Sequence, residues 1–255
     1  MIPRNIRRAL VAAPLILAAR PAAAVDHSNL EEGLPVEVED AFPIGFRGRE
    51  LQLSSRYDRT DDDKNRLRIE PSLEIGVFRN AQVRVLAPFL FGDADKTGSG
   101  DVAAEVFYNL NQESLALPAF ATAVQAQFPT GRDRKGVEFQ VKGILSKTIP
   151  GTSRFQRVHA NVTWTGNASA GDEMRDSRWK GVLGYQIRVT SDWMLVADVL
   201  REEEREKGKA SNIAEVGFRV PLTPLIVLSA GVGAGFLDDS PPFRATLGLQ
   251  YVLGL

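Results

Sequence analysis

Among the residues able to do chemistry, His159 is the best placed for acid–base work, with Asn161 and Thr163 at the next alternate positions. Catalysis by such a histidine needs a nucleophile on one side and an orienting acid on the other. No G-x-S-x-G elbow supplies the nucleophile. His159 therefore reads as a hydrogen-bonding group, and no enzyme activity is expected. Cysteine is absent, which removes disulfides, thiolate metal sites and thiol nucleophiles together. The other histidine, His27, is too isolated in sequence to suggest a His-built metal centre. Asp61-Asp62-Asp63 offers hard oxygen ligands, but the D-x-D-x-D-G spacing of a calcium loop is missing and a solvated charge run is expected. Gly231, Gly233 and Gly235 follow a G-x-G-x-G spacing with no helical pattern after them. They are read as room for curvature or for something inside a sheet, not as a nucleotide loop. No cofactor or metal is expected.

The remaining candidates are charged residues at alternate positions. Arg66, Arg68, Glu70, Glu74, Arg84, Glu105, Glu138, Lys142, Arg188, Asp198, Glu215, Arg219 and Arg244, with His159, alternate with apolar neighbours. Two readings stay open for them. They form a polar lumen that selects solute, or a network of cross-strand ion pairs that fills and stiffens the interior.

The elements that position these residues follow from the same alternation. Leu67, Ile69, Pro71, Leu73, Ile75 and Val77 alternate with Arg66, Arg68, Glu70, Ser72, Glu74 and Gly76. A strand with that order has one apolar and one charged face. Twelve such segments are expected, near 46–57, 66–77, 81–91, 101–110, 118–128, 136–147, 155–165, 178–189, 193–202, 210–220, 225–236 and 243–254. Each has about the 9–11 residues with which a tilted strand crosses a bilayer. The connections alternate between longer, charged loops and short turns, as in bacterial outer-membrane barrels. Tyr57, Phe91, Phe128, Trp164, Trp179, Phe236 and Phe243 fall at one end of their strands, and Trp193 and Tyr251 near the other. Rings at both rims of an apolar band form an aromatic girdle.

The first residues read as an export signal. Arg4, Arg7 and Arg8 precede a short apolar run and the small residues Ala22-Ala23-Ala24. Cleavage after Ala24 removes four arginines and no acids, and takes the formal charge from −1 to −5. That charge gives no basic field for nucleic acid. Residues 25–45 are acidic and proline-bearing, and read as a periplasmic tail or a partial plug. Residues 46–255 form the expected barrel.

Asp101–Asn109 (DVAAEVFYN), Phe128-Pro129-Thr130-Gly131, Ile144-Leu145-Ser146-Lys147, Asn161-Val162-Thr163-Trp164 and Ala230–Leu249 carry a family resemblance. Together they resemble the outer-membrane transporter family of the MetA pathway of phenol degradation. The resemblance spans roughly residues 100–253. It implies an outer-membrane barrel aiding uptake of small hydrophobic or aromatic compounds. Members usually end in an aromatic residue, whereas this sequence ends Tyr251-Val252-Leu253-Gly254-Leu255.

The expectation is an all-β, transmembrane up-and-down antiparallel barrel of about twelve strands. It is a channel or transporter in the bacterial outer membrane, in contact with lipid, with a small-molecule solute and, during biogenesis, with the barrel-assembly machinery. Two alternatives remain: a structural or interaction barrel with a closed lumen, and a soluble periplasmic lipid-binding β-protein.

Overall fold

A computed structural model describes residues 28–60, 62–94, 97–132, 136–168, 173–237 and 239–253. The export signal, His27 and Asp61 lie outside these residues. The described residues form fourteen strands: β1 (Arg49–Arg59), β2 (Asn65–Phe78), β3 (Ala81–Leu86), β4 (Phe89–Gly92), β5 (Gly98–Ser99), β6 (Ala103–Asn111), β7 (Ala119–Gln127), β8 (Glu138–Thr148), β9 (Gln156–Asn167), β10 (Ser177–Arg188), β11 (Met194–Glu203), β12 (Ala210–Thr223), β13 (Ile226–Gly235) and β14 (Phe243–Val252). Every pairing is antiparallel between neighbours. β1 also pairs with β14, placing Leu53 opposite Leu249 and Gln52 opposite Gln250. That last ladder closes a twelve-stranded barrel. β4 and β5 stand outside the ring.

Closure follows from the alternation. On one parity the barrel exposes Leu51, Leu53, Val106, Val124, Val141, Val162, Leu183, Val199, Val216, Val232, Leu247 and Leu249. On the other it buries Gln52, Glu74, Arg84, Glu105, Lys142, His159, Asp198, Glu215 and Arg219. An apolar outside and a polar inside invert the arrangement of a soluble protein. The inversion suits hydrocarbon, where each backbone N–H and C=O has to be paired within the chain and no sheet edge can stay open. The expected girdle rings Phe91, Phe128, Trp179, Phe236, Phe243, Trp193 and Tyr251 are exposed on this outer surface. Tyr57 and Trp164 are half-buried.

The expected strand bounds lie within three residues of those observed, with one correction. The segment expected to run unbroken over 81–91 divides at Ala87-Pro88 into β3 and β4. Neither Pro88 nor Pro71, beside it on β2, has an N–H to donate, so the ladder along this edge of β2 lapses between Ser72–Leu86 and Ile69–Phe89. β3 pairs with β6 and with one half of β2, and β4 covers the other half of β2, Arg66–Ile69. At the start of β1 the chain enters three residues late, because Gly48 N–H closes a turn onto Gly45 O at 2.7 Å.

The barrel has a loop end, with the longest connections 128–137 and 168–176, and a turn end, where connections run from two residues (Arg79-Asn80, Pro224-Leu225) to seven (112–118, 149–155). If the outer surface faces lipid, Val216→Arg, at mid-strand in β12, lowers stability by about 2–4 kcal/mol in denaturant-dependent folding into lipid vesicles. In a water-soluble barrel the same exposed substitution would be close to neutral.

Candidate functional site

The interior is occupied by the chain itself. Residues 28–45 enter at the turn end beside Arg188, run toward the loop end, turn, and come back to join β1. The two arms are tied where Asp40 N–H donates to Leu30 O at 3.0 Å and Leu30 N–H to Asp40 Oδ2 at 3.1 Å. This segment forms no ladder with any barrel strand. Its backbone is satisfied instead by side chains of the wall. Glu37 N–H donates to Glu215 Oε2 at 3.2 Å, Val38 N–H to Asp198 Oδ2 at 2.8 Å and Glu39 N–H to Asn161 Oδ1 at 2.8 Å. Ala41 N–H donates to Ser146 Oγ at 2.9 Å, and Ile44 N–H to Gln82 Oε1 at 2.7 Å. In return, Asn109 and Arg219 donate to Ala41 O and Leu34 O at 2.7 and 3.0 Å. A buried amide left without a partner costs about 1–3 kcal/mol, so these contacts fix the path of the segment.

Shape complements this bonding. Val36 and Val38 pack with Val182, Met194, Val196, Leu200 and Ile213, an apolar patch on the inner face of β10–β12. Wall glycines make the room. A Cβ at Gly248 would lie 2.0 Å from Leu34 Cδ2, and one at Gly184 would lie 2.6 Å from both methyls of Val38. Gly231, singled out in the G-x-G-x-G run, lies against Pro35 O.

Charge complements both. Glu32 pairs with Lys142 (2.8 Å), with Lys180 and, at 4.0 Å, with Arg84. Glu37 pairs with Arg56, with Lys180 (3.0 Å) and with Arg244 (3.7 Å). Glu39 pairs with Lys142 at 2.7 Å, and Asp40 with Arg157 at 4.0 Å. Burial acts to raise the Glu37 carboxyl, but Arg56 and Lys180 outweigh it and hold the group at about 2. Burial pushes Glu39 up to about 7 against the pull of Lys142. Burial, with Glu31 alongside, pushes Asp40 up to about 8.

The sequence candidates distribute as follows. Arg84 lies between Glu105 (2.8 Å) and Glu74 (3.5 Å), and Lys142 contacts Glu105 at 2.8 Å. Arg68 and Glu70 pair with one another near the loop end, where Arg68 is exposed and Glu70 and Arg66 are half-buried. Register puts Arg84 opposite Glu74, not Glu70. Glu138 joins Arg178 (3.1 Å) and Arg205 (2.9 Å) at the loop end, and Arg188 donates to Ser28 Oγ at 2.9 Å at the turn end. Asp198 and Glu215 accept from the segment, Arg219 donates to it, and Arg244 bridges Asp58 (2.6 Å) and Glu215 (3.6 Å). His159 Nδ1 lies 2.8 Å from Ser146 Oγ and Nε2 lies 2.9 Å from Gln186 Oε1. An amide stands where a triad would have its acid, and Ser146 is engaged by Ala41. Arg56, Arg157 and Lys180 were not among the sequence candidates. Each lies on the polar parity of its strand, so the alternation rule applied to β1, β9 and β10 would have found them.

No protein-family model matches the sequence, and no curated protein matches it either. The fold is similar to that of the COG4313 outer membrane channel from Pseudomonas putida F1, at 15% identity over 86% of this chain and 100% of that one, with a TM-score of 0.66. It is also similar to the KdgM porin (9% identity, 78% and 98% covered, TM-score 0.51). The β domain of the Bordetella autotransporter BrkA shows a likeness of the same order (13% identity, 81% and 99% covered, TM-score 0.52). The chain therefore has the architecture of a bacterial outer-membrane β-barrel.

Two outcomes follow. Gly248→Leu combined with Gly184→Leu places side chains where Leu34 and Val38 lie, so protease cleavage within 28–45 becomes at least about tenfold faster while the barrel stays resistant. Docking also takes up protons at Glu39 and Asp40, whose docked values lie above those of the free carboxyls. Their contribution to docking is full at low pH and is lost as pH rises. Protection of the segment therefore weakens between about pH 5 and about pH 8, and Glu39→Gln with Asp40→Asn flattens that dependence.

Proposed function

We propose that the protein is an outer-membrane channel for small solutes, and that residues 28–45 are its gate. One observation carries this reading: the occupant of the lumen is held by side chains alone. With no ladder to break and one end joined to β1, it can leave without opening the barrel. The inward-facing Glu74, Arg84, Glu105, Lys142, His159, Arg188, Asp198, Glu215, Arg219 and Arg244 then line the route it vacates, with Arg66, Arg68, Glu70 and Glu138 nearer the loop end. Export by a signal within Met1–Ala24 and insertion by the barrel-assembly machinery belong to the same reading.

Two features favour solutes with an apolar or aromatic body. The patch beneath Val36 and Val38 becomes accessible once the segment leaves. At the turn end, a recess of about 600 Å³ is lined by Phe42, Phe46, Phe155, Arg157 and Arg188 among others. Within it, the Arg157 guanidinium lies 4.9 Å from the Phe155 ring centroid and 4.4 Å from that of Phe42, whose position over Arg157 falls vacant when the gate leaves. The resemblance to the phenol-degradation transporter family points the same way.

The chain has no native cysteine, so Leu34→Cys with Gly248→Cys, where a Cβ at 248 lies 3.4 Å from Leu34 Cγ and truncation of Leu34 removes the clashing methyl, gives a clean cross-link between gate and wall. In liposome swelling with arabinose, the oxidised variant is at least about tenfold less permeable than the reduced one. Equal swelling in both states would refute the gate and favour a barrel closed for structural reasons.

A further inference from the structure

We propose that the channel's solute is a small organic dicarboxylate with an apolar body, and that Glu32 and Glu37 occupy its two carboxylate positions when the gate is closed. This rests on the gate reading above. The wall presents two cationic clusters to the segment. Lys142, Lys180 and Arg84 surround Glu32, and Arg56, Lys180 and Arg244 surround Glu37. Lys180 is common to both, so the two positions are adjacent.

Part of this charge is balanced within the wall. Glu105 pairs with Lys142 and Arg84, and Asp58 and Glu215 pair with Arg244. Lys180 and Arg56 differ. Among the described residues, every ion pair either one makes is to the inserted segment. Both are shielded from solvent, with side chains 14% and 21% exposed. When the segment leaves, both lose their close ion pairs and keep only the longer-range attraction of wall carboxylates, Glu202 for Lys180 and Asp58, Glu70 and Glu215 for Arg56. A shielded cation so left is costly, and an anion entering the vacated lumen restores the close pairing. Planar carboxylates suit the site because carboxylates already fill it: guanidinium and ammonium donors converge on the glutamate oxygens from several strands. Neutral solutes gain nothing from these groups. The apolar body follows from the neighbouring inner patch, where Val182 and Val196 pack with Val36 and Val38, close in sequence to the two glutamates.

Such a solute competes with the gate. It binds the state from which the segment has left, and so raises the open population by mass action. Lys180→Gln removes the shared cation. Glu32→Gln weakens the gate without touching the wall, and leaves a folded barrel even if Lys180→Gln does not assemble.

The test is single-channel recording of the full chain in planar bilayers, with isophthalate as probe and neutral isophthalamide as control. Isophthalate raises the open probability of the wild type, and isophthalamide does not. Lys180→Gln weakens the gate as well, so it opens more often without probe; in its open channel the isophthalate concentration that halves the chloride current rises at least about tenfold, the loss of one charge-assisted contact. Glu32→Gln opens more often without probe and responds to less isophthalate. The open channel prefers chloride over potassium in a salt gradient. Equal responses to isophthalate and isophthalamide, or a preference for potassium, would overturn the proposal. If oxidation of the Leu34–Gly248 cross-link abolishes permeation while isophthalate has no effect, the gate stands and the carboxylate assignment falls. If neither has an effect, both fall.

Discussion

Backbone hydrogen bonding in hydrocarbon is the constraint on which the rest of the molecule depends. A sheet immersed in lipid cannot leave an edge unpaired, and the ladder between β1 and β14 removes the last one. Closure divides every strand into a lipid face and an interior face at a period of two residues. The lipid face has to be apolar, so charge is driven inward. Twelve strands enclose more room than wall side chains alone fill, and the charges placed there need partners or water. Residues 28–45 supply the partners.

The inserted segment therefore solves a problem that the barrel creates. Its carboxylates neutralise wall cations, its valines cover an apolar inner patch, and its amides are satisfied by wall acceptors. Each interaction is a side-chain contact, unlike the continuous ladders of the wall. Stability is accordingly unequal across the chain: cooperative in the sheet and divisible in the segment. That inequality gives a closed lumen a physical route to opening, and the pH-sensitive carboxyls at Glu39 and Asp40 adjust its balance.

Much of the barrel was legible in sequence because a period of two survives any detail of register. Leu67 to Val77 announces β2 without reference to its partners, and the short Arg79-Asn80 turn sets its direction. The division of β3 from β4 was not anticipated, although Pro88 is a local signal for it, because Val85, Phe89 and Phe91 keep the outward parity through the break. The charged residues could be assigned to a face but not to partners. Glu70 and Glu74 share that face, and only the β2–β3 register puts Arg84 against Glu74. Pairings such as Lys142 with Glu39, 103 residues away, depend on closure and carry no short-range signature. The glycines at 184 and 248 are the same case: the sequence marks them as small, and only the path of the segment explains why.

Amide hydrogen exchange on the full chain in lipid nanodiscs tests most directly whether the segment leaves an intact barrel. The account predicts that the amides of Glu37, Val38, Glu39, Ala41 and Ile44 exchange together, through one opening far less costly than the opening of β8–β12. Exchange of those five amides only at the rate of the strand amides would contradict it, since the segment would then be released by nothing short of unfolding the barrel.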